Sequence, residues 1–351
     1  MKRKQRMEAS AAHLPVALPR QTAMQSEIDV SILIVSWNCK SLLGNCLDSL
    51  REQVPEHTKQ IVVVDNASSD GTSEFVRLNF PDVEFLETGA NIGFARGNNV
   101  GLAACRGEYV CLINPDVVAE RGCIARMLCY MNEHEDVGMV GPQILGTDGI
   151  VQRSCMREPS LWNQFSRAMA LDTLFGQSKL FGGYLMKDFD HAQVREVEIL
   201  NGCFWMVRRE ALAGVGGLDD RFWMYSEDVD WCRRFRLAGW RVVFYPDAGA
   251  IHHGGGSSRN NPVSSFVQMQ HANLLYWRKY HGALSSLCFR AILSIGHFVR
   301  CCAFLIAYVA AAARRPELRA RLSRHFAAIR HLMQGGAQGS FSGEDGAHVR
   351  P

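Results

Sequence analysis

From residue 28 to residue 118 the chain alternates short apolar runs with amphipathic stretches. Val30-Ser-Ile-Leu-Ile-Val35, Ile61-Val-Val-Val64, Val83-Glu-Phe-Leu86 and Tyr109-Val-Cys-Leu-Ile113 have the length and β-branched content of buried strands. Between the first two, Leu42, Leu43, Cys46, Leu47 and Leu50 share one face of a helix over residues 41–50. Residues 72–78 and 98–104 read as further helices. Strand alternating with helix predicts an α/β fold with a mostly parallel sheet covered on both faces. Each strand is followed by small or polar residues, at 36–38, 65–69, 89–93 and 114–116. In open α/β sheets ligands bind beyond the carboxyl ends of the strands, so four such ends outline one site.

Beyond residue 120 the pattern is less regular. Residues 121–134 predict a helix and residues 137–140 a strand. Residues 160–187 carry aromatics and glycines without a firm period. Strand character returns over residues 199–207. Residues 227–238 predict a helix capped by Gly239, followed by a strand over 241–245 that Pro246 ends. Residues 284–313 are very apolar but interrupted by Arg290, His297 and Arg300. A central Arg costs about 3 kcal/mol on insertion scales, which favours an interfacial helix pair over a single span. A helical hairpin packed on the rest of the protein is the alternative.

A composition of 47% hydrophobic and 21% charged residues is that of a chain able to bury a core. The net charge of +3 excludes a general polyanion binder, and no nucleic-acid partner is expected. Basic residues cluster at Lys2, Arg3, Lys4 and Arg6 and again at Arg314, Arg315, Arg319, Arg321 and Arg324. Beside apolar sequence, such clusters point to an anionic membrane surface. The 12 cysteines form neither CxxC pairs nor zinc-ligand spacings, and most lie in apolar runs, as reduced core thiols do. Residues 1–26 read as a mobile arm rather than a signal peptide. Residues 334–351, rich in Gly and Ser, read as disordered.

Five segments carry candidate chemistry. Asp65-Asn66 through Asp70-Gly71 follows the second strand, where a carboxylate can accept from the N3–H of a uracil or thymine ring. A plain strand–turn–helix connection capped by Asp70 explains it equally well. Gly89 through Asn99 is a Gly/Asn-rich loop opening a helix, a place where backbone N–H groups and Arg96 suit phosphate. It matches neither GxGxxG nor the P-loop pattern. Asn114-Pro115-Asp116 puts one carboxylate at a strand end, where it can hold Mg²⁺ or Mn²⁺ against a diphosphate or serve as a polar turn. Glu227-Asp228-Val229-Asp230 opens a helix after an aromatic cluster. Acids favour a helix N-terminus in any case. Substitution at an anomeric carbon with inversion needs one base, and adjacent carboxylates raise one another's pKa toward that role. His252-His253-Gly254-Gly255-Gly256-Ser257 can complete a metal site or be a Gly-rich loop.

Together these segments resemble glycosyltransferase family 2, with its GT-A fold, and within it the bacterial rhamnosyltransferase-like group. The resemblance runs in family order through residues 30–38, 61–72, 91–99 and 112–116. It continues through Asn201-Gly-Cys203, Arg208-Arg209, Gly216-Gly-Leu-Asp219, Glu227-Asp-Val-Asp230 and His252-x-x-Gly255-x-Ser257, covering roughly residues 28–260. It implies a Rossmann-like, mostly parallel sheet flanked by helices; the apolar stretch and Arg cluster beyond it add the expected C-terminal helical, membrane-associating extension. It also implies nucleotide-sugar donors, dTDP- or UDP-linked, with Mg²⁺ or Mn²⁺ and inversion. Ser36, Asn38, Asp65, Asn66, Gly93, Arg96 and Asn114 would line the donor nucleotide site, with Asp65 on the base. Asp116 and His252 would bind the metal. Asp228 would be the base with Glu227 beside it positioning the acceptor, the choice between the two staying open.

Two positions depart from the wider family. Asn114 replaces the first acid of Asp-x-Asp, leaving a metal site of lower charge, and Trp231 stands where Leu is usual. The expected domains are an arm at 1–26, a catalytic domain at 27–260, a membrane-associating helical region at 261–330 and a tail at 331–351. The expected reaction is transfer of L-rhamnose from dTDP-rhamnose to a surface polysaccharide or lipid-linked glycan at the inner face of the plasma membrane. A UDP-dependent galactosyl or galactofuranosyl transfer and a non-catalytic scaffold are the alternatives, and a homo-oligomer is left open. A sugar nucleotidyltransferase would need a Gly-rich, Arg/Lys-bearing loop that residues 36–40 do not supply.

Overall fold

The computed structural model describes residues 28–51, 53, 58–254, 262–310 and 314–334. The N-terminal arm with its basic cluster, Gly255 and Ser257 of the His motif, and the tail after residue 334 lie outside the described residues. The chain begins β1 (Val30–Ser36), α1 (Lys40–Leu50), β2 (Lys59–Asp65), α2 (Thr72–Asn79), β3 (Glu84–Glu87), α3 (Phe94–Ala104) and β4 (Tyr109–Ile113). It continues with β5 (Val117–Ala119), α4 (Cys123–Glu133), β6 (Val137–Leu145), β7 (Cys155–Met156), α5 (Leu161–Ala168) and α6 (Leu171–Leu174). Then come β8 (Arg195–Glu196), β9 (Ile199–Leu200), β10 (Phe204–Arg208), α7 (Arg209–Val215), α8 (Glu227–Leu237) and β11 (Arg241–His252). Three helices close it: α9 (Pro262–Tyr280), α10 (Ala283–Ala310) and α11 (Arg315–Met333).

One sheet dominates, in the order β3-β2-β1-β4-β10-β6-β11-β5, with β8 also on β11. The pairs among β3, β2, β1 and β4 are parallel, as is β6 with β11, while β10 and β5 run antiparallel to their neighbours. Every residue of β1 and β4 is buried, as their unbroken apolar runs require. Successive side chains point to opposite faces, so Leu33 and Val35 join one core layer while Ile32 and Ile34 join the other.

Three local readings are corrected. The expected strand over 199–207 is broken into β9 and β10 by a turn at Asn201-Gly202-Cys203, where Asn201 Oδ1 accepts from Cys203 N. Pro246 does not end β11. The ladder with β6 skips from Tyr245 to Gly249, and the bulge absorbs the residue that lacks an N–H. The apolar stretch expected as a helix pair is one helix, α10. At Gly296 a Cβ would stand 2.7 Å from Ala168 Cβ on α5, so the absence of a side chain there lets α10 lie directly against α5.

Helices α9, α10 and α11 pack together around Leu274, Trp277, Phe289 and Leu332, with Trp277 stacked on Phe289 at 4.1 Å. They are fastened to the α/β body. Arg300 on α10 donates to the carbonyls of Ala168 and Arg167, closing the C-terminal end of α5. All 12 cysteines are free thiols, and most are buried.

Candidate active site

The carboxyl ends of β1 and β2 are knotted together by the residues expected to meet a nucleotide. Asn38 takes a left-handed φ of 49°, its amide oxygen accepts from Ser69 N at 2.7 Å, and its own N–H donates to Ser68 Oγ at 2.9 Å. Asp65 is buried, and one carboxylate oxygen accepts from Ser68 N while the other accepts from Ser68 Oγ. Asn66, also buried, donates to the Gly93 carbonyl at 3.1 Å and so ties this corner to the Gly-rich loop. Gly93 has φ +86°, and a Cβ there would lie 2.6 Å from the Trp223 carbonyl oxygen. The glycine thus admits the segment leading to Glu227. Ser36 is fully buried with its Oγ 3.3 Å from Cys39 Sγ. Arg96 stands apart: it is exposed on the first turn of α3 and pairs with Asp220 at 3.4 Å.

Asp116 and His252 meet because β5 pairs antiparallel with β11, placing His252 opposite Val117. His253 N donates to the Asp116 carbonyl at 2.9 Å, fixing the two segments. His252 Nε2 lies 3.3 Å from Asp116 Oδ1. Gln152 holds the imidazole from behind. Its amide nitrogen donates to the His252 carbonyl at 3.0 Å, and its amide oxygen stands 3.0 Å from Nδ1. With the Gln152 amide oxygen facing it, Nδ1 is the donor nitrogen, and in the neutral imidazole Nε2 is the acceptor. A lone pair then faces a carboxylate oxygen, an arrangement that needs a cation or a proton between them. The residues therefore fit a divalent cation bound by one oxygen and one nitrogen. Among the described residues no group of three or more His, Cys, Asp or Glu could hold a metal. The remaining positions would fall to diphosphate oxygens and water, as Mg²⁺ sites commonly arrange. Gln152 carries no motif, and nothing in the sequence pointed to it.

Glu227 and Asp228 open α8 after a contorted approach. Tyr225 and Ser226 both have positive φ, 71° and 60°, without being glycine. Each such residue costs on the order of 1–3 kcal/mol and persists only where its surroundings hold it. Ser226 Oγ donates to Asn273 on α9 at 3.0 Å, and Phe94 N donates to the Trp223 carbonyl at 2.7 Å. The turn aims both carboxylates into a cavity of about 500 Å³, which Asn114 also lines. Asp228 Oδ1 accepts from Val229 N at 2.8 Å, whereas Glu227 Oε2 is buried without a partner. Burial raises the pKa of both. The Asp228 charge adds to the rise at Glu227, while backbone N–H groups of Val229 and Gly202 restrain it at Asp228. Backbone hydrogen bonds thus favour the charged form at Asp228, while the neighbouring charge disfavours it at Glu227. The far wall of the cavity comes from Arg167, Tyr184, Phe266, His297 and Arg300, which no motif marked.

The family described as glycosyl transferase family 2 matches residues 31–216, more than half of the chain. The chain belongs to glycosyltransferase family 2. An N-acetylglucosaminyl-diphospho-decaprenol L-rhamnosyltransferase of Mycobacterium tuberculosis (strain ATCC 25618 / H37Rv) is 31% identical over 237 residues, covering 64% of this chain and 76% of that protein. The rhamnosyltransferase WbbL of Escherichia coli (strain K12) is 23% identical over 238 residues, covering 66% of this chain and 86% of that protein. Among solved structures, the Pyrobaculum calidifontis mannosyltransferase PcManGT, in complex with GDP-Man and Mn²⁺, aligns with TM-score 0.53 at 18% identity, covering 95% of this chain and 94% of that one. The fold of this glycosyltransferase is accordingly GT-A, with a C-terminal helical region as its appendage.

Proposed function

We propose that this glycosyltransferase moves L-rhamnose from dTDP-rhamnose, with inversion, onto a hydroxyl of a cell-surface polysaccharide or lipid-linked glycan. The observation that carries the reading is the pair Glu227 and Asp228 held in a cavity beside Asn114, two residues from Asp116. The rhamnosyltransferase names of the two relatives support the sugar, and the diphospho-decaprenol in one name supports a lipid-linked acceptor.

Asp65 accepts from the N3–H of the base, with Ser36, Asn38, Asn66 and Gly93 shaping the nucleotide corner. Asn114, at the end of β4, lines the acceptor cavity. Asp116 and His252 would hold Mg²⁺ or Mn²⁺, whose chemistry is to neutralise charge developing on the departing diphosphate. Asp228 takes the proton of the acceptor hydroxyl as its oxygen bonds to the anomeric carbon and the bond to the diphosphate oxygen breaks. Glu227, kept protonated by burial, donates to and orients the acceptor. Arg96 leaves Asp220 to meet phosphate when donor binds.

The α10 helix is long and apolar enough to cross a membrane, yet it is packed lengthwise on α5, α9 and α11 through Phe289, Gly296, His297 and Cys301. That packing supports association with the inner face of the plasma membrane rather than a span. The test is a donor screen by calorimetry and product assay with dTDP-rhamnose, UDP-galactose and UDP-galactofuranose, each with and without Mn²⁺ or Mg²⁺. Metal-dependent turnover of dTDP-rhamnose is expected. Faster turnover of either UDP-sugar overturns the rhamnosyl reading, and no binding of any donor overturns the enzyme.

A further inference from the structure

The cavity at Asp228 does not end at the carboxylates. It extends under the C-terminal helices and changes sign on the way. At one end stand Glu227 and Asp228, and at the other Arg167 from α5 with Arg300 and His297 from α10. Tyr184 lies between the ends, feeling both the Asp228 charge and Arg167, whose guanidinium covers its ring at 5.2 Å. No carboxylate lines the cavity at the basic end. Asp172, the acid that acts on Arg300, is itself paired with Lys187 at 3.6 Å.

The basic end also holds an unmet hydrogen-bonding group. His297 is 6% exposed, its Nδ1 is 2.9 Å from His325 Nδ1, and its Nε2 is buried without a partner. Burial and the neighbouring cations keep both imidazoles neutral, so a single proton lies between the two Nδ1 atoms. With that proton on His325, His297 Nε2 carries an N–H in the cavity wall. A buried donor left unmade costs about as much as a lost hydrogen bond, so this N–H is available to an acceptor that enters the cavity. Arg167, the charge of Arg300 with the N–H groups left over from the Ala168, Gly296 and Arg167 carbonyls, and an imidazole N–H, without a facing carboxylate, make a site for phosphate.

We propose that Arg167, Arg300 and His297 bind a phosphate or diphosphate ester carried by the acceptor, while its sugar hydroxyl reaches Asp228. The role in transfer rests on the function proposed above; the anion binding does not. A volume of about 500 Å³ lies within the roughly 300–1,000 Å³ of small-molecule pockets, room for a sugar and its phosphates rather than a long glycan. Arg167 is exposed and so stands where the cavity opens. The lipid chain of a glycolipid would leave there, toward the apolar side chains Trp162 and Phe165 that α5 exposes.

The test titrates decyl diphosphate, decyl glucoside and inorganic pyrophosphate into the full chain, with dTDP and Mg²⁺ present to fill the donor site. Wild type is compared with Arg167→Gln, an exposed change, and with His297→Phe, which keeps the ring and removes Nε2; thermal melts confirm folding. Decyl diphosphate should bind at least tenfold more tightly than decyl glucoside, and Arg167→Gln should weaken it by about tenfold or more without changing decyl glucoside. Pyrophosphate matching decyl diphosphate would make the ligand a free anion and overturn the ester. Equal binding of all three probes, or equal effects of Arg167→Gln on diphosphate and glucoside, would overturn the subsite. The donor screen reads separately: Arg167-dependent diphosphate binding with no sugar transfer removes the function and keeps the subsite, and transfer without Arg167 dependence does the reverse.

Discussion

Lys279 on α9 donates to Asp230 on α8 at 2.5 Å and to Asp219 at 2.7 Å. Asp230 is completely buried and also accepts from Arg234 and Tyr280. The third acid of the Glu-Asp-x-Asp stretch is therefore not part of the cavity. It fastens the helix that begins at Glu227 to the C-terminal helices. Removing one partner of a buried ion pair strands the other, at about 3–5 kcal/mol. Asp230→Ala should lose stability on that order, and Lys279→Met less, because Arg234 and Tyr280 still serve Asp230. Urea midpoints of the two variants check this, and equal losses would mean that Lys279 alone carries the network.

Asp219 makes this junction acid-sensitive. Burial opposes its ionisation, but hydrogen bonds from Arg221 and Lys279 outweigh it and hold the carboxyl below the usual range. A depressed acid contributes stability that is complete above its unfolded value, about 3.9, and is lost as pH falls toward the folded one. Asp219→Asn should be less stable than wild type at pH 7 and close the gap below about pH 4. A gap that stays constant across that window would remove Asp219 from the acid response.

The proposed base has its own pH signature. Burial lifts Asp228, so the rising limb of kcat/KM should lie above the ordinary aspartate value of about 3.9. Asp228→Asn should cut transfer by about 10²–10⁴-fold with donor affinity kept. Glu227→Gln should cost less in rate and change stability in the opposite sense to Asp219→Asn. Glu227 holds a proton in the folded chain at pH values where it is ionised unfolded, so wild-type stability falls as pH rises above about 4.3. The Gln variant lacks that slope and should gain on wild type from pH 5 to pH 8. Wild-type turnover in Asp228→Asn with loss in Glu227→Gln would exchange the two roles.

Gln152 offers a test of the metal reading that does not touch a ligand. It grips both the carbonyl and the Nδ1 of His252. Groups that orient a metal-bound imidazole typically contribute 10–100-fold in affinity. Gln152→Leu should weaken Mn²⁺ binding by about that factor in the presence of dTDP, raising the metal concentration needed for half-maximal rate while leaving kcat at saturating metal near wild type. A fall in kcat with unchanged metal affinity would make Gln152 a loop tie only.

The strands that build the nucleotide corner were readable because β1 and β2 each carry a run of four apolar residues, and β1 is buried on both faces. Asp65, Asp116 and Glu227-Asp228 were readable because they sit where such runs stop or a helix opens. The three-residue β5 was not, since its length gives no period, and its place depends on pairing with β11. Helix α5 was hidden for another reason. Its capping box uses Asn163 where Glu or Gln is the usual partner of Ser160, and its buried side is covered by α10 from far along the chain. The basic end of the cavity is legible only in space, because Arg167 and His297 belong to different layers and no spacing links them.

The uncovered side of α10 is apolar along its length. Leu284, Leu287, Ile295, Phe298, Ile306 and Val309 are each more than half exposed and recur at helical spacing, while the opposite side is packed. A stripe of this kind without charge suits the boundary between headgroups and acyl chains, and α11, which packs on α10, carries Arg315, Arg319 and Arg324. Burying one large apolar side chain contributes about 1.5–3 kcal/mol. Phe298→Asp with Ile306→Asp should therefore lower partition into anionic phosphatidylglycerol vesicles by about 100-fold or more. The fold should be spared, because both side chains point away from the helical core. Replacing Arg319 and Arg324 by Gln should cost about 1 kcal/mol per charge, and only at low salt, because screening already removes that attraction at high salt. Co-sedimentation at two salt concentrations separates the two contributions. Unchanged pelleting of the double Asp variant would mean that α10 does not meet the membrane with this side, and its apolar stripe would then have to be covered by another protein surface.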